Sequence, residues 1–222
     1  MRRLFVTLFL CCLSALSAVG QMRYCLSYTD FREGNWQEMD SLDVTERSQA
    51  SKFWTGGSDF KMETGNDSLD HVLKKKAFAI LCGDTLLLNC RRIYFEERNF
   101  GKGYVIAHLF GGNKICFVSG IPGSRGAGSA AVLGGAIFGA IGAGVMGGIA
   151  AASNPKQEYC FLVGHERRDG KVDVQMIDDE YMQRFETDSP EFYAEYMSET
   201  KRKKRERASH IMPLLWKWSL IQ

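Results

Sequence analysis

From Ala77 onward the apolar positions fall into runs of five to seven residues separated by turns that contain glycine. Ala77–Cys82 and Thr85–Cys90 flank Gly83-Asp84, a two-residue connection with glycine first, suited to a type II′ hairpin. Tyr104–Phe110 and Lys114–Val118 flank Gly111-Gly112-Asn113, and Glu158–Val163 and Lys171–Ile177 flank Arg168-Asp169-Gly170. Six strands in three consecutive hairpins predict an antiparallel meander or curled sheet. Upstream, Thr29–Gly34 reads as a short capped helical turn ending at glycine. Lys52–Trp54 and Asp59–Met62 read as two short strands about Thr55-Gly56-Gly57.

After Ile177 the period lengthens. Asp179–Phe185 predicts a short helical stretch, and Ser189, Pro190 and Glu191 open a longer helix with an apolar stripe of Phe192, Tyr193, Tyr196 and Met197. Pro213 reads as a helix break in the apolar C-terminal stretch. The expected fold class is α+β: an antiparallel meander of about six strands, an inserted Gly/Ala-rich helical segment, and a C-terminal helical region.

The insert is the strongest clue. Residues 126–155 carry no charged side chain. Small residues recur every fourth position at Gly135, Gly139, Ala143, Gly147 and Ala151, with Gly144 and Gly148 beside them. Leu133, Ile137, Ile141, Val145 and Ile149 keep the same step on another stripe. Sorting by size at helical spacing lets backbones approach closely in an apolar setting. The expected helix-packing or membrane residues are Gly135, Gly139, Ala143, Gly144, Gly147 and Gly148. Ala127–Ala152 is long enough for one tilted span of about 30 Å, or for a short helical hairpin that dips into a bilayer or packs on another copy.

The N-terminus places Arg2-Arg3 before an apolar run from Leu4 to Leu13, with small residues Ala18-Val19-Gly20 before Gln21. That is the layout of a cleaved secretory signal peptide. The expected organisation is residues 1–20 as signal peptide, 21–70 as the N-terminal region of the mature domain, 71–177 as the sheet with its insert at 123–153, and 178–222 as a helical tail. Residues 21–125 hold 14 Lys+Arg against 13 Asp+Glu, and residues 156–222 hold 12 against 13, so no global basic field for nucleic acid emerges. Five cysteines follow the signal: Cys25, Cys82, Cys90, Cys116 and Cys160. An odd count leaves at least one thiol free or paired between chains. Cys116 and Cys160 stand in similar strand phrases, where they read as buried small hydrophobes or as sulfurs facing each other across neighbouring strands.

Candidate chemistry is sparse. Gly126-Ala127-Gly128-Ser129-Ala130-Ala131 fits a dinucleotide fingerprint, but no acidic residue follows from Ala127 to Gln157 to hold a ribose. His165-Glu166 reads as half of an acid–base pair without a partner at helical or ligand spacing. His108 alternates with Ile106 and Phe110 and reads as a sheet residue. No metal-ligand, nucleophile-elbow or paired-carboxylate pattern appears, so no catalytic, cofactor or metal residue is assigned. The run Lys201, Arg202, Lys203, Lys204, Arg205, Glu206, Arg207 reads either as a solvated helix end or, with Leu214, Leu215, Trp216, Trp218 and Leu220 after it, as lipid-headgroup contacts at Lys201–Arg205. Those apolar residues read equally as closing the core over the sheet.

Three phrases carry a resemblance: Tyr28-Thr29-Asp30-Phe31 before Gly34, Leu73-Lys74-Lys75-Lys76-Ala77-Phe78-Ala79-Ile80, and Gly83-Asp84-Thr85-Leu86-Leu87-Leu88-Asn89. With them the chain resembles an uncharacterised family of exported proteins, a domain of unknown function, from gut-type Gram-negative bacteria. The resemblance implies export and architecture and no activity. The expectation is a noncatalytic protein of the periplasm or cell envelope, attached to a membrane or to its own copies, with no cofactor, nucleic acid or small-molecule substrate. The alternative is a soluble periplasmic or secreted binding domain whose glycine-rich segment contacts a ligand or partner.

Overall fold

The computed structural model describes residues 22–46, 60–111, 114–122, 158–218 and 220. The expected signal peptide and the size-sorted positions from Gly135 to Gly148 lie outside them. Among the described residues the chain forms β1 (Met22–Cys25), β2 (Gln37–Met39), β3 (Asp43–Glu46), β4 (Phe60–Glu63), β5 (Ala79–Cys82), β6 (Thr85–Asn89), β7 (Ile93–Phe95), β8 (Arg98–Asn99), β9 (Tyr104–Phe110), β10 (Lys114–Gly120), β11 (Glu158–Glu166) and β12 (Val172–Met176). The helices are α1 (Tyr28–Glu33), α2 (Asp67–Lys75), α3 (Asp179–Gln183), α4 (Phe185–Asp188), α5 (Pro190–Met197), α6 (Arg202–Arg205) and α7 (Ala208–Lys217).

The strands join one sheet in the order β2-β1-β5-β6-β9-β10-β11-β12-β7-β8, with β3 paired to β4 and β4 touching β9. The six expected strands, β5, β6, β9, β10, β11 and β12, are consecutive and antiparallel in it. The sheet is nevertheless a mixed one of twelve strands, not a six-stranded meander. β7 and β8 leave the path after β6, and β7 returns to pair parallel with β12 at Val172↔Ile93. Gly83 turns the β5–β6 hairpin with φ +57 in the left-handed region, while Asp84 stays outside it, as glycine-first turn chemistry requires. β4 pairs with Asp43–Glu46, and the strand expected at Lys52–Trp54 lies outside the described residues.

The central strands are buried on both faces, which explains their unbroken apolar runs. Ile115, Phe117, Phe161 and Val163 face one core, where Leu88, Val105, Ile93 and Val172 also meet. β6 and β12 contribute to that core although three strands lie between them, so the sheet curls about it. Edge-on ring contacts of Phe100 with Phe117 (5.2 Å) and Phe161 (5.0 Å) fill its centre. The other face is covered in two pieces. α2 brings Leu73 against Ile80, Leu87 and Tyr104, while α3–α7 cover Cys116, Val118, Cys160 and Leu162.

α2 is a helix that strand-period reading overlooks, although its signal is present. Asn66 accepts from the backbone N–H of Ser68 and Leu69, acids fill the first turn, lysines fill the last, and Leu69, Val72 and Leu73 form its stripe. Pro213 does not break the C-terminal helix. It sits inside α7, which continues through Leu214, Leu215 and Trp216. Burial of Ile211, Met212 and Leu215 on the sheet holds the helix through a residue that is unfavourable in isolation.

Candidate functional site

β11 links the two charged regions of the molecule. At its start, Gly120 of β10 lies opposite Glu158. The two ends of the connection between them therefore leave the sheet about one strand spacing apart, roughly 5 Å. The two ends of a single bilayer crossing lie about 30 Å apart. Among the described residues no helix is long and apolar enough to cross a membrane.

The basic run sits at this same root. The Arg207 guanidinium lies 4.4 Å from the ring centroid of Tyr159, the second residue of β11, and its Nε donates to the Lys203 carbonyl at 3.1 Å. Asp179, three residues after β12 ends, clamps the run from below. It accepts from Arg205 Nε (2.8 Å), Arg205 Nη2 (2.6 Å) and the Tyr196 hydroxyl (2.6 Å). Arg205 Nη1 donates to the Glu199 carbonyl at 2.9 Å. The bidentate Arg205 holds the Asp179 carboxyl below the usual carboxylate range, and Arg205 is shifted upward in turn. Burial and the neighbouring carboxylate push the Tyr196 hydroxyl up, so it stays a donor.

This geometry divides the expected headgroup residues. Arg205 is only 8% exposed and fully engaged, so it drops out of a surface role. Arg202 is exposed but pairs with Glu206 at 2.8 Å. Lys201, Lys203 and Lys204 are exposed and make no ion pair among the described residues. The hydrophobic half of the expected headgroup patch is elsewhere. α7 carries the chain along β11 away from the root. Leu214 and Leu215 are buried, Trp216 packs edge-on to His108 (5.3 Å), and Trp218 packs on Phe192 (5.9 Å) and donates to Glu195 at 2.8 Å. The tryptophans close the core and do not flank the lysines.

The far end of β11 carries a bulge between Val163 and Glu166. Gly164 is needed there, because a Cβ would meet the Asp173 carbonyl oxygen at 3.0 Å. The bulge sends His165 outward, 76% exposed, with Nε2 3.1 Å from Asp173 Oδ2. The expected neighbour Glu166 does other work: it accepts from Thr29 N and Oγ1, both at 2.9 Å, at the start of α1. Asp173 also accepts from Arg167 Nε at 2.7 Å, and Arg167 forms a fork to Glu97 at 2.8 and 2.7 Å. The Arg167 fork holds the Glu97 carboxyl below its usual range. Glu96 and Glu97 both have positive φ, 47 and 63, in the turn between β7 and β8. A His–Asp pair can move a proton, but no hydroxyl or thiol nucleophile adjoins this one among the described contacts.

Cys116 and Cys160 face the same core on neighbouring strands, offset by two residues because Cys116 pairs with Leu162 and Val118 with Cys160. Among the described residues the five cysteines form no disulfide. Burial, with the adjacent Cys116 thiol, pushes Cys160 well up, and burial pushes Cys25 up to about 12. Burial lowers the His108 imidazole, keeping it neutral against Trp216. Among the described residues no group of three His, Cys, Asp or Glu could hold a metal ion.

Residues 23–222 match the Family of unknown function (DUF6563). The chain belongs to this family. No curated protein and no solved structure shows significant similarity to it. The match spans both ends of β11 and the C-terminal helices, so the curled sheet and its helical cover fall within one family unit. Sequence reasoning found the basic run and His165 but missed the partners of Arg205, Arg207 and His165. Asp173, Asp179 and Tyr159 lie on separate elements, and only an acidic pair after a strand (Asp178-Asp179) hinted at a clamp.

Proposed function

We propose that this protein is a noncatalytic, exported envelope protein that attaches to a membrane, or to its own copies, through the Gly/Ala-rich connection between β10 and β11. The observation that carries the reading is the pairing of Gly120 with Glu158, which bracket the uncharged, size-sorted stretch 126–155. Both ends start from one point on a rigid sheet, so the stretch works as a re-entrant or self-packing loop. Twenty-six residues, Ala127–Ala152, are too few for two full crossings of about 20 each. The layout of residues 1–20 supports export, and the resemblance to an uncharacterised family of exported proteins from gut-type Gram-negative bacteria agrees with it.

Gly139→Leu with Gly144→Leu is expected to release the protein from the membrane pellet in carbonate extraction, or to abolish its oligomers in cross-linking. Cysteines introduced at Ser124 and Ser153, in a background without native thiols, should label from the same side. Unchanged fractionation of the double variant would overturn the reading in favour of a soluble binding domain. Labelling from opposite sides would contradict the strand pairing itself.

A further inference from the structure

We infer that Lys201, Lys203 and Lys204 form a contact surface for the phosphate groups of anionic lipid, placed by the fold beside the root of the β10–β11 connection. The inference rests on the membrane attachment proposed above and names the lipid class it favours. Seven consecutive residues, Lys201–Arg207, hold six cations, and the fold sorts them. Arg205 and Arg202 are consumed by Asp179 and Glu206. Arg207 is spent as a strut between Tyr159 and the Lys203 carbonyl. Among the described residues the three lysines make no ion pair, and they are exposed.

Their position is fixed, not merely exposed. The buried Arg205–Asp179 clamp and the Arg207–Tyr159 contact hold this turn against the first residues of β11, next to Glu158. Lysines held in one place forgo the loss of freedom that a floppy basic tail suffers on reaching a charged surface. Lysine suits the task, since a headgroup layer offers mobile phosphates to a compact ammonium, whereas a fixed fork favours arginine. Nucleic acid fits less well, because three lysines with no aromatic or amide reader among them provide only a small electrostatic term.

The test is flotation of the full chain with neutral phosphatidylcholine vesicles and with vesicles containing about one-third phosphatidylglycerol, comparing wild type with K201Q/K203Q/K204Q. The wild type is expected to prefer anionic vesicles, and three lysines at about fivefold each give the triple variant a loss of about 100-fold. Its melting temperature should not move, because none of the three lysines holds the fold. Equal binding to both vesicles, or an anionic preference that the triple variant keeps, would overturn the inference and leave attachment through the connection standing. Anionic binding that survives G139L/G144L and vanishes in high salt would uphold the lysines and sink that attachment. Loss of preference to inorganic phosphate at matched ionic strength, or tighter binding to a short DNA duplex, would name another ligand and overturn it.

Discussion

Both ends of β11 are crowded with charge, and they treat it in opposite ways. At the bulge end, Arg167 meets Asp173 and Glu97, Lys171 meets Asp169 at 2.7 Å, and His165 meets Asp173. Each of these side chains has a carboxylate beside it. At the root, Asp179 and Glu206 satisfy Arg205 and Arg202, Arg207 rests on the Tyr159 ring, and three exposed lysines make no ion pair among the described residues. The surplus is invisible in the overall count, which is balanced across residues 156–222. A local field depends on which charges the fold neutralises, not on how many the chain contains. The matched end builds structure, and the unmatched end is free to meet something else.

The comparison can be broken most sharply at the clamp. Arg205→Gln removes the buried partner of Asp179 and is expected to cost about 3 kcal/mol in urea denaturation, within the range for breaking a buried pair. The lysine triple variant should lie within about 0.5 kcal/mol of wild type, as surface changes do. If the two variants were equally stable, the division of the run into structural and surface cations would be wrong.

Acid sharpens it next. Because the folded-state carboxyl of Asp179 is depressed, its contribution is fully present above the unfolded value of about 3.9 and is lost as pH falls through the folded one. Stability should therefore fall below about pH 4. Asp179→Asn should flatten that acid limb in a pH series of melting curves, while staying less stable at neutral pH. An acid limb unchanged by the substitution would assign it to other carboxylates.

The smallest effect is expected at the other end. Glu96 and Glu97 occupy a turn conformation that favours glycine or asparagine. Glu96→Gly should relieve strain of about 1 kcal/mol, raising the melting temperature by about 3 °C for a chain of this size. A drop instead would mean that the Glu96 side chain contributes more there than its backbone costs.

Much of the fold was legible because the relevant forces are local. Gly83 fixes a hairpin, Ser27 and Gly34 bound α1, and Pro190 opens α5. The doubly buried strands announce themselves as Ile115–Val118 and Tyr159–Val163, runs with no polar alternation. α2 was equally legible from Asn66 and its stripe, but the run of polar residues around it masked the period. β7 was not, since a three-residue strand pairing in parallel with β12 gains its stability from a partner 79 residues away. Nor was the continuation of α7 through Pro213, where packing outweighs propensity.

Local sequence accounts for the turns, the helix caps, the hairpin order, and an uncharged insert sorted by size. Those are properties of neighbouring residues and of spacing. Only the tertiary structure decided that Gly120 and Glu158 lie side by side, that Asp179 reaches Arg205 across 26 positions, and that the lysines stand at the root while the tryptophans do not. Such pairings depend on the distances at which charges and backbones finally meet, and chain order alone does not contain those distances.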